Sequence, residues 1–216
     1  MILDEKPRYH VENLPESLLE VGSELLSYRP HDSFRLRELA SLVPEKPGGV
    51  SHTAVFGHYS SMPDYLTALA VRWWGLLEEE LRFESSADTP VDLGLRYVRF
   101  ALDNPHAFRL MYDNQLWGTP TEGRVAMHRR EEMARIRDLC FTQFALATRA
   151  ARWGQALTQQ DVQSWARLFA ALSHGLAMEL IDEQLFGHVH EADERKRRRL
   201  GHAKELLELA TKGVPA

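Results

Sequence analysis

The 216-residue chain has 44% hydrophobic and 26% charged residues and a formal net charge of −5, an ordinary balance for a soluble globular protein. Such a chain can bury a core without disulfides or metals, and its apolar stretches fall far short of the roughly 20 residues that cross a membrane. No signal peptide is visible, and the single cysteine, Cys140, cannot form an internal disulfide. We therefore predict a cytoplasmic protein with no membrane contact, no metal and no cofactor.

Helix-start signals recur along the chain, most of them a capping residue or proline followed by an acidic residue. They occur at residues 13–16, 61–64, 89–92, 104–105, 119–122 and 158–161. Between them apolar residues recur at spacings of three and four, the period of an amphipathic helix, and no segment alternates as a strand would. The sequence predicts an all-α fold of about nine helices. Their expected ranges are 13–28, 35–42, 51–57, 62–84, 90–103, 105–114, 121–149, 159–185 and 193–212.

The segment 37–59 is the most informative part of the sequence. It reads Arg37-Glu38-Leu39-Ala40, then Gly49-Val50-Ser51-His52-Thr53-Ala54-Val55-Phe56, then His58-Tyr59. A short helix ends, Gly49 permits a turn, Val50 fills the junction, and Ser51 caps a second short helix. This is the construction of a helix-turn-helix, whose second helix typically enters the DNA major groove. We predict a three-helix DNA-binding head over residues 1–60 and a helical ligand-binding and dimerisation body over residues 61–216.

With this motif, the sequence resembles the tetracycline-repressor-like (TetR) family of bacterial transcription regulators. The resemblance extends from Arg8-Tyr9-His10 and Asn13-Leu14 through Tyr65-Leu66-Thr67-Ala68-Leu69-Ala70 to Tyr97-Val98-Arg99-Phe100-Ala101, Asn104-Pro105 and Phe108-Arg109-Leu110-Met111. Ser173-His174-Gly175 is similar to the Trp-His-Gly signature of a C-terminal subgroup, with serine replacing tryptophan. The resemblance covers most of the chain. It implies a homodimeric regulator, acting as a repressor on a palindromic operator in double-stranded DNA, that responds to a small ligand and is not an enzyme.

Three features depart from the family pattern, one of which is Arg35, at a position where a serine or threonine normally caps the second helix. Residues 44–48 look like an insertion of about five residues ahead of Gly49, and Gly57 and Met62 stand where relatives often carry arginine and lysine. Residues 1–60 contain six basic and nine acidic residues, a net charge of −3. That sign is wrong for a DNA reader, because phosphate neutralisation dominates DNA affinity. An alternative stays open: a TetR-fold protein with lost or altered operator binding that acts through small-molecule or protein partners.

Three sets of candidate residues follow from the motif, the resemblance and the helical spacing. For DNA contact, we expect base-reading and phosphate-contacting side chains from Arg35, Arg37, Lys46, Ser51, His52, Thr53, Phe56, His58 and Tyr59. The resemblance implies an apolar ligand site in the body, for which the candidates are Trp73, Trp74, Leu77, Tyr97, Phe100, Phe108, Met111, Tyr112, Phe141, Phe144 and Phe169. Residues 162–185 carry apolar groups on more than one face, which predicts a four-helix dimer interface with 193–212 that includes Trp165, Leu168, Leu172, Leu176, Met178 and Leu180.

Overall fold

The computed structural model describes residues 13–44, 48–117, 127–186 and 192–212, and within these ranges it contains helices and no strand. The described α-helices are α1 Leu14–Leu26, α2 Leu36–Ser41, α3 His52–Phe56, α4 Met62–Glu80, α5 Pro90–Asp103, α6 Pro105–Met111, α7 Asn114–Trp117, α8 Met127–Ala150, α9 Gln159–Phe186 and α10 Ala192–Thr211. Two short 3-10 helices cover His31–Ser33 and Arg152–Ala156. The all-α prediction is confirmed, and the helix not anticipated is the four-residue α7.

Several helices begin where the sequence predicted, because their caps are local. Thr89 and Asp92 form a reciprocal capping box at the start of α5. The Ser51 side chain accepts a main-chain N–H of α3, and the Ser61 side chain accepts one of α4. Asn13 differs from this pattern. It adopts a left-handed conformation (φ 64°) and its side chain makes no capping hydrogen bond, so α1 is capped through the main-chain carbonyl of Asn13 instead.

The turn between α2 and α3 depends on a glycine. Gly49 has φ +75°, and a β-carbon there would lie 2.3 Å from the carbonyl oxygen of Ala40. The next residue, Val50, donates its N–H to that same carbonyl at 2.8 Å, which closes the turn. Val55 of α3 is fully buried against the other head helices. The arrangement is the helix-turn-helix that the sequence predicted, and any side chain at position 49 would force it apart.

The long helix α4 joins the head to the body. Its first half packs on α1, where the Tyr65 hydroxyl donates to the Leu18 carbonyl at 2.7 Å. Helix α8 runs alongside α4 from Arg129, which pairs with Asp64, to Gln143, which donates to Glu78. The Trp74 indole donates to the Met111 carbonyl at 3.2 Å. In the body α5 lies against α9, with α8 and α10 beside this pair. The core runs continuously from head to body through α4.

Candidate nucleic-acid interface and ligand cavity

The outer face of α3 is polar and accessible. Ser51, His52, Thr53 and His58 are exposed, whereas Val55 faces inward and is completely buried. Phe56 is 44% exposed, and its ring meets the His52 imidazole edge to face with ring centroids 4.6 Å apart. The face therefore offers hydroxyl and imidazole groups that can hydrogen-bond to base edges, with one aromatic ring available for apolar contact.

Tyr59 does not belong to this face, which corrects the expectation that it lies at the DNA surface. Its side chain is only 1% exposed, and its hydroxyl donates to the Pro15 carbonyl at 3.1 Å. Burial raises the pKa of Tyr59 to about 12, so the phenol stays protonated. The reason is topological: the chain turns inward after His58 to begin α4, and the Tyr59 ring packs edge to face on Tyr65.

The predicted phosphate-contacting cations have unequal placements. Arg35 and Arg37 are exposed beside α2. One guanidinium nitrogen of Arg35 donates to the carbonyl of Phe34 at 2.8 Å, which holds the side chain near the start of α2. Lys46 lies outside the described residues. Arg29, a further head cation, pairs with Glu38 at 2.6 Å.

Arg129 of α8 reaches the junction of α3 and α4. Its Nε lies 2.9 Å from the Asp64 carboxylate, and its Nη2 donates to the His58 carbonyl at 3.3 Å. Its guanidinium also lies over the Tyr59 ring, 4.9 Å from the centroid. Asp64 is 4% exposed and accepts the Ser60 main-chain N–H as well. No sequence signal indicates this contact, because Arg129 is an ordinary helix arginine that lies far along the chain from its partners.

The body contains a cavity of about 340 Å³ between α4, α5, the end of α6, α8 and α9. It is lined by Trp74, Tyr97, Tyr112, Arg137, Asp138, Cys140, Phe141, Phe144, Arg167, Ala170 and His174. Five of these were predicted from the sequence: Trp74, Tyr97, Tyr112, Phe141 and Phe144. Arg137, Asp138 and Arg167 are exposed, so the cavity reaches the surface at these three side chains.

The other six predicted ligand residues do not line this cavity, and their role in ligand binding stays a prediction. They are Trp73, Leu77, Phe100, Phe108, Met111 and Phe169. Leu77, Phe108, Met111 and Phe169 are fully buried core residues. Trp73 packs against Phe100 with ring centroids 6.0 Å apart. Conversely, six lining residues were not predicted, among them His174, which the sequence marked only as part of the Ser173-His174-Gly175 motif.

A chain of hydrogen-bonding groups forms one wall of the cavity. The hydroxyl of Tyr97 contacts the hydroxyl of Tyr112 and lies 3.2 Å from Nδ1 of His174. Burial raises the pKa of both phenols and lowers the pKa of His174. Burial likewise raises the pKa of the Cys140 thiol to about 12. All four groups are therefore uncharged at neutral pH and can serve as hydrogen-bonding partners.

The candidate dimer residues of α9 differ in exposure. Leu168 is 46% exposed, and Trp165, Leu172 and Met178 are partly buried. The remaining two, Leu176 and Leu180, are each 5% exposed and belong to the core of the single chain. Because they already pack inside the protomer, they offer almost no surface to a partner, and the expectation of an exposed interface role for these two residues is corrected.

Comparisons with known proteins agree with this architecture. Residues 91–202, more than half of the chain, match the model of the tetracyclin repressor-like C-terminal domain. A bacterial regulatory protein in the TetR family from Rhodococcus RHA1 has a similar fold, with a TM-score of 0.61 and 17% identity over 95% of this chain and 98% of that one. The TetR family transcriptional regulator PfmR from Thermus thermophilus aligns with a TM-score of 0.56 and 15% identity, over 92% and 99% of the two chains.

A comparison with curated proteins found no match. The match over residues 91–202 nevertheless decides the family, and the helix-turn-helix head agrees with it. The chain belongs to the tetracycline-repressor-like family of transcriptional regulators. In the described ranges, no helix is both long and apolar enough to cross a membrane. The resemblance to the Trp-His-Gly subgroup stays a prediction.

Proposed function

We propose that the protein is a ligand-responsive repressor that binds a palindromic operator as a homodimer and operates in the cytoplasm. The observation that carries this proposal is the pairing of an exposed, polar α3 face with a cavity in the body of the same chain. The first is the part of a helix-turn-helix that reads DNA. The second can hold a small effector. In this proposal residues 1–60 form the DNA-binding domain and residues 61–216 form the effector and dimerisation domain.

For DNA recognition, we assign base contacts to Ser51, His52, Thr53, Phe56 and His58. Arg35, Arg37 and Lys46 supply the phosphate contacts. If each of these three cations neutralises one phosphate, a dimer makes six such contacts, and the slope of log K against log salt should be about −5. The two recognition helices of the bound dimer should lie roughly 34–36 Å apart, one turn of B-DNA.

The connection between the two sites runs through α8. Arg137, Cys140, Phe141 and Phe144 of this helix line the cavity. At its other end, Arg129 contacts Asp64, the His58 carbonyl and the Tyr59 ring, beside the recognition helix. Suppose that the protein has two conformations that differ in the position of α8. A ligand that binds one of them more tightly would then shift the orientation of the head. Helix α4, which contributes Trp74 to the cavity wall, gives a second connection of the same kind.

For dimerisation, we assign the interface to α9 and α10. Leu168, Leu172 and Trp165 leave apolar surface accessible on α9, and Leu209 of α10 is 53% exposed. Two copies of this helix pair can bury these groups as a four-helix bundle. Light scattering should give the mass of a dimer. A mass of about 25 kDa, independent of protein concentration, would exclude this assembly.

The DNA proposal is tested by selecting duplexes from a pool of genomic fragments and measuring their binding by fluorescence anisotropy at several salt concentrations. Arg37→Ala should weaken all duplexes alike, because phosphate contacts carry no sequence information. His52→Ala should instead change the preference among duplexes, because a base-reading side chain sets specificity. Arg135→Ala, an exposed arginine of α8 outside both sites, is the matched control and should change neither.

The acidic head and residues 44–48 favour one alternative, a family member whose operator binding is lost or altered and that acts through a small-molecule or protein partner. Deleting residues 44–48 distinguishes a DNA-binding repressor from a family member that has lost or altered operator binding. If the parent binds weakly and the deletion protein binds tightly, the insertion has weakened or redirected the head. If neither protein selects a duplex at low salt, operator recognition is wrong and the partner-binding alternative replaces it.

A further inference from the structure

We propose that the body cavity takes an aromatic ligand carrying one negative charge, with the aromatic part between Trp74, Phe141 and Phe144 and a carboxylate beside Arg137 and Arg167. The inference deepens the proposed function, because it assumes that this cavity is the effector site. It replaces the sequence-based expectation of a merely apolar ligand with a specific chemical class.

Three side chains of the cavity lining carry a formal charge. The phenols of Tyr97 and Tyr112, the imidazole of His174 and the thiol of Cys140 are all uncharged at neutral pH because of burial. Among the lining residues, formal charges are left on Arg137, Arg167 and Asp138. Within the lining, two positive charges stand against one negative charge, and both arginines lie where the cavity reaches the surface, which favours an anionic group on the ligand there. The Glu78 carboxylate lies outside the lining, and its charge adds to the raised pKa of Cys140.

Both arginines belong to the cavity wall. The Arg167 guanidinium lies 5.9 Å from the centroid of the Phe141 ring, so a charged group stands directly beside an aromatic wall. Arg137 is close enough to Tyr112 to act on it. Burial is the larger effect and raises the pKa of that phenol, while the Arg137 charge lowers it in part. A planar guanidinium is the side chain best suited to hold a carboxylate by two hydrogen bonds.

The size and the wall chemistry of the cavity favour a two-ring aromatic ligand. Its volume is about 340 Å³, roughly twice that of an apolar cavity of about 150 Å³ that holds benzene. Trp74, Phe141 and Phe144 provide aromatic surface, and the Tyr97–Tyr112–His174 chain provides hydrogen bonds to a polar substituent. The acidic group then lies toward the surface, where the arginines are exposed.

The test is calorimetric titration of the full-length protein with three probes of one shape: 2-naphthoate, 2-naphthamide and 2-naphthylmethylammonium. We expect 2-naphthoate to bind about tenfold more tightly than the amide, and the ammonium probe to bind most weakly. Arg137→Gln and Arg167→Gln should each reduce naphthoate affinity about three- to tenfold and leave the amide unchanged. Arg135→Gln, on the same helix but outside the cavity, is the matched control and should behave like the parent.

Asp138→Asn should change the naphthoate affinity in the opposite direction. It removes the opposing carboxylate, so naphthoate should bind about two- to threefold more tightly, which a merely destabilised cavity would not do. Equal binding of naphthoate and naphthamide would overturn the inference. So would preference for the ammonium probe, which would make Asp138 the selecting group, or failure of all three probes to bind at millimolar concentration.

The titration contains no DNA, so its result is independent of operator binding. If naphthoate binds with the expected preference while no duplex is selected, the proposed repressor function fails and the ligand class stands. If duplexes are selected but the probes show no charge preference, the ligand class fails and the repressor function stands.

Discussion

Two pairs of neighbouring tyrosines are used in different ways. Tyr59 and Tyr65 bond to α1 of the head and are called the head tyrosines, whereas Tyr97 and Tyr112 lie beside the body cavity. In the head, the hydroxyls of Tyr59 and Tyr65 donate to main-chain carbonyls of α1, at Pro15 and Leu18. These bonds join α1 to the chain segment that follows α3. Neither ring lines the body cavity. The head tyrosines therefore fix one helix arrangement.

In the body, the hydroxyls of Tyr97 and Tyr112 contact each other, and the Tyr97 hydroxyl also lies within hydrogen-bonding distance of the His174 imidazole. Both side chains line the cavity. Burial raises the phenol pKa in both regions, so the difference between the pairs lies in their hydrogen-bond partners rather than in their charge. A side chain bonded to main chain holds a fold together, whereas a side chain bonded to another side chain beside a cavity can exchange its partner for a ligand.

The largest expected effect comes from a glycine under the head tyrosines. A β-carbon at Gly22 would lie 2.1 Å from the Tyr65 hydroxyl and 2.9 Å from Leu69. Gly22→Ala should lower the free energy of unfolding by about 2–3 kcal/mol, because the packed head must shift. Urea denaturation at fixed protein concentration measures it. The additional change Tyr65→Phe should recover part of the loss, since it removes the clashing oxygen.

Gly75 of α4 is the control for that glycine. Nothing lies within 4 Å of a β-carbon built there, so Gly75→Ala should stabilise by about 0.5–1 kcal/mol through helix propensity alone. Equal destabilisation at Gly22 and Gly75 would contradict the idea that the head is tightly packed around Tyr65.

The next largest effect on stability is expected from the loss of Arg129, which connects α8 of the body to Tyr59 and Asp64. Arg129→Ala leaves the nearly buried Asp64 without its cation, although Ser60 still donates to that carboxylate. We expect a loss of about 2 kcal/mol, below the 3–5 kcal/mol typical of a fully buried pair. Arg135→Ala, at an exposed position of the same helix, should stay within about 0.5 kcal/mol. Similar losses for both variants would mean that the Arg129 contact does not hold the head.

A direct comparison of the pairs uses the mildest substitution, tyrosine to phenylalanine. Tyr65→Phe should cost about 1 kcal/mol, the usual worth of a buried hydrogen bond. Tyr112→Phe should cost less than about 0.5 kcal/mol. Tyr112 is half-buried beside a cavity, so a water molecule can replace its hydroxyl as the hydrogen-bond partner of Tyr97. The same denaturation experiment measures both. If Tyr112→Phe proved as costly as Tyr65→Phe, the proposed division between fixing and ligand-facing tyrosines would be wrong.

The smallest effect is a pH dependence that arises from His174 in the body. Burial lowers the pKa of His174, so the unfolded chain binds a proton at this residue more readily than the folded one. Stability should therefore decrease as the pH falls below about 6.5 and level off below the folded-state pKa. His174→Gln should reduce this slope. A slope unchanged by the substitution would assign the pH dependence to other groups, of which His106, its pKa also lowered by burial, is the next to test.

Sequence alone determined the features that depend on neighbours along the chain. The capping boxes at Thr89–Asp92 and Thr158–Asp161 have the predicted reciprocal hydrogen bonds. Gly49 marks the head turn because only a residue without a side chain fits its conformation and its distance to Ala40. Apolar spacing fixed the helical class. All of these are local interactions, which a linear pattern records directly.

Only the tertiary structure decided what each helix face meets. Apolar spacing on α9 marked Leu168 and Leu176 alike, yet the first is exposed and the second lies in the core. Arg137 and Arg167 carry no pattern that separates them from other surface arginines, and the cavity between them exists only because α8 and α9 pack side by side. Periodicity places residues on a common face, but the partner of that face is set by contacts between segments far apart in the chain.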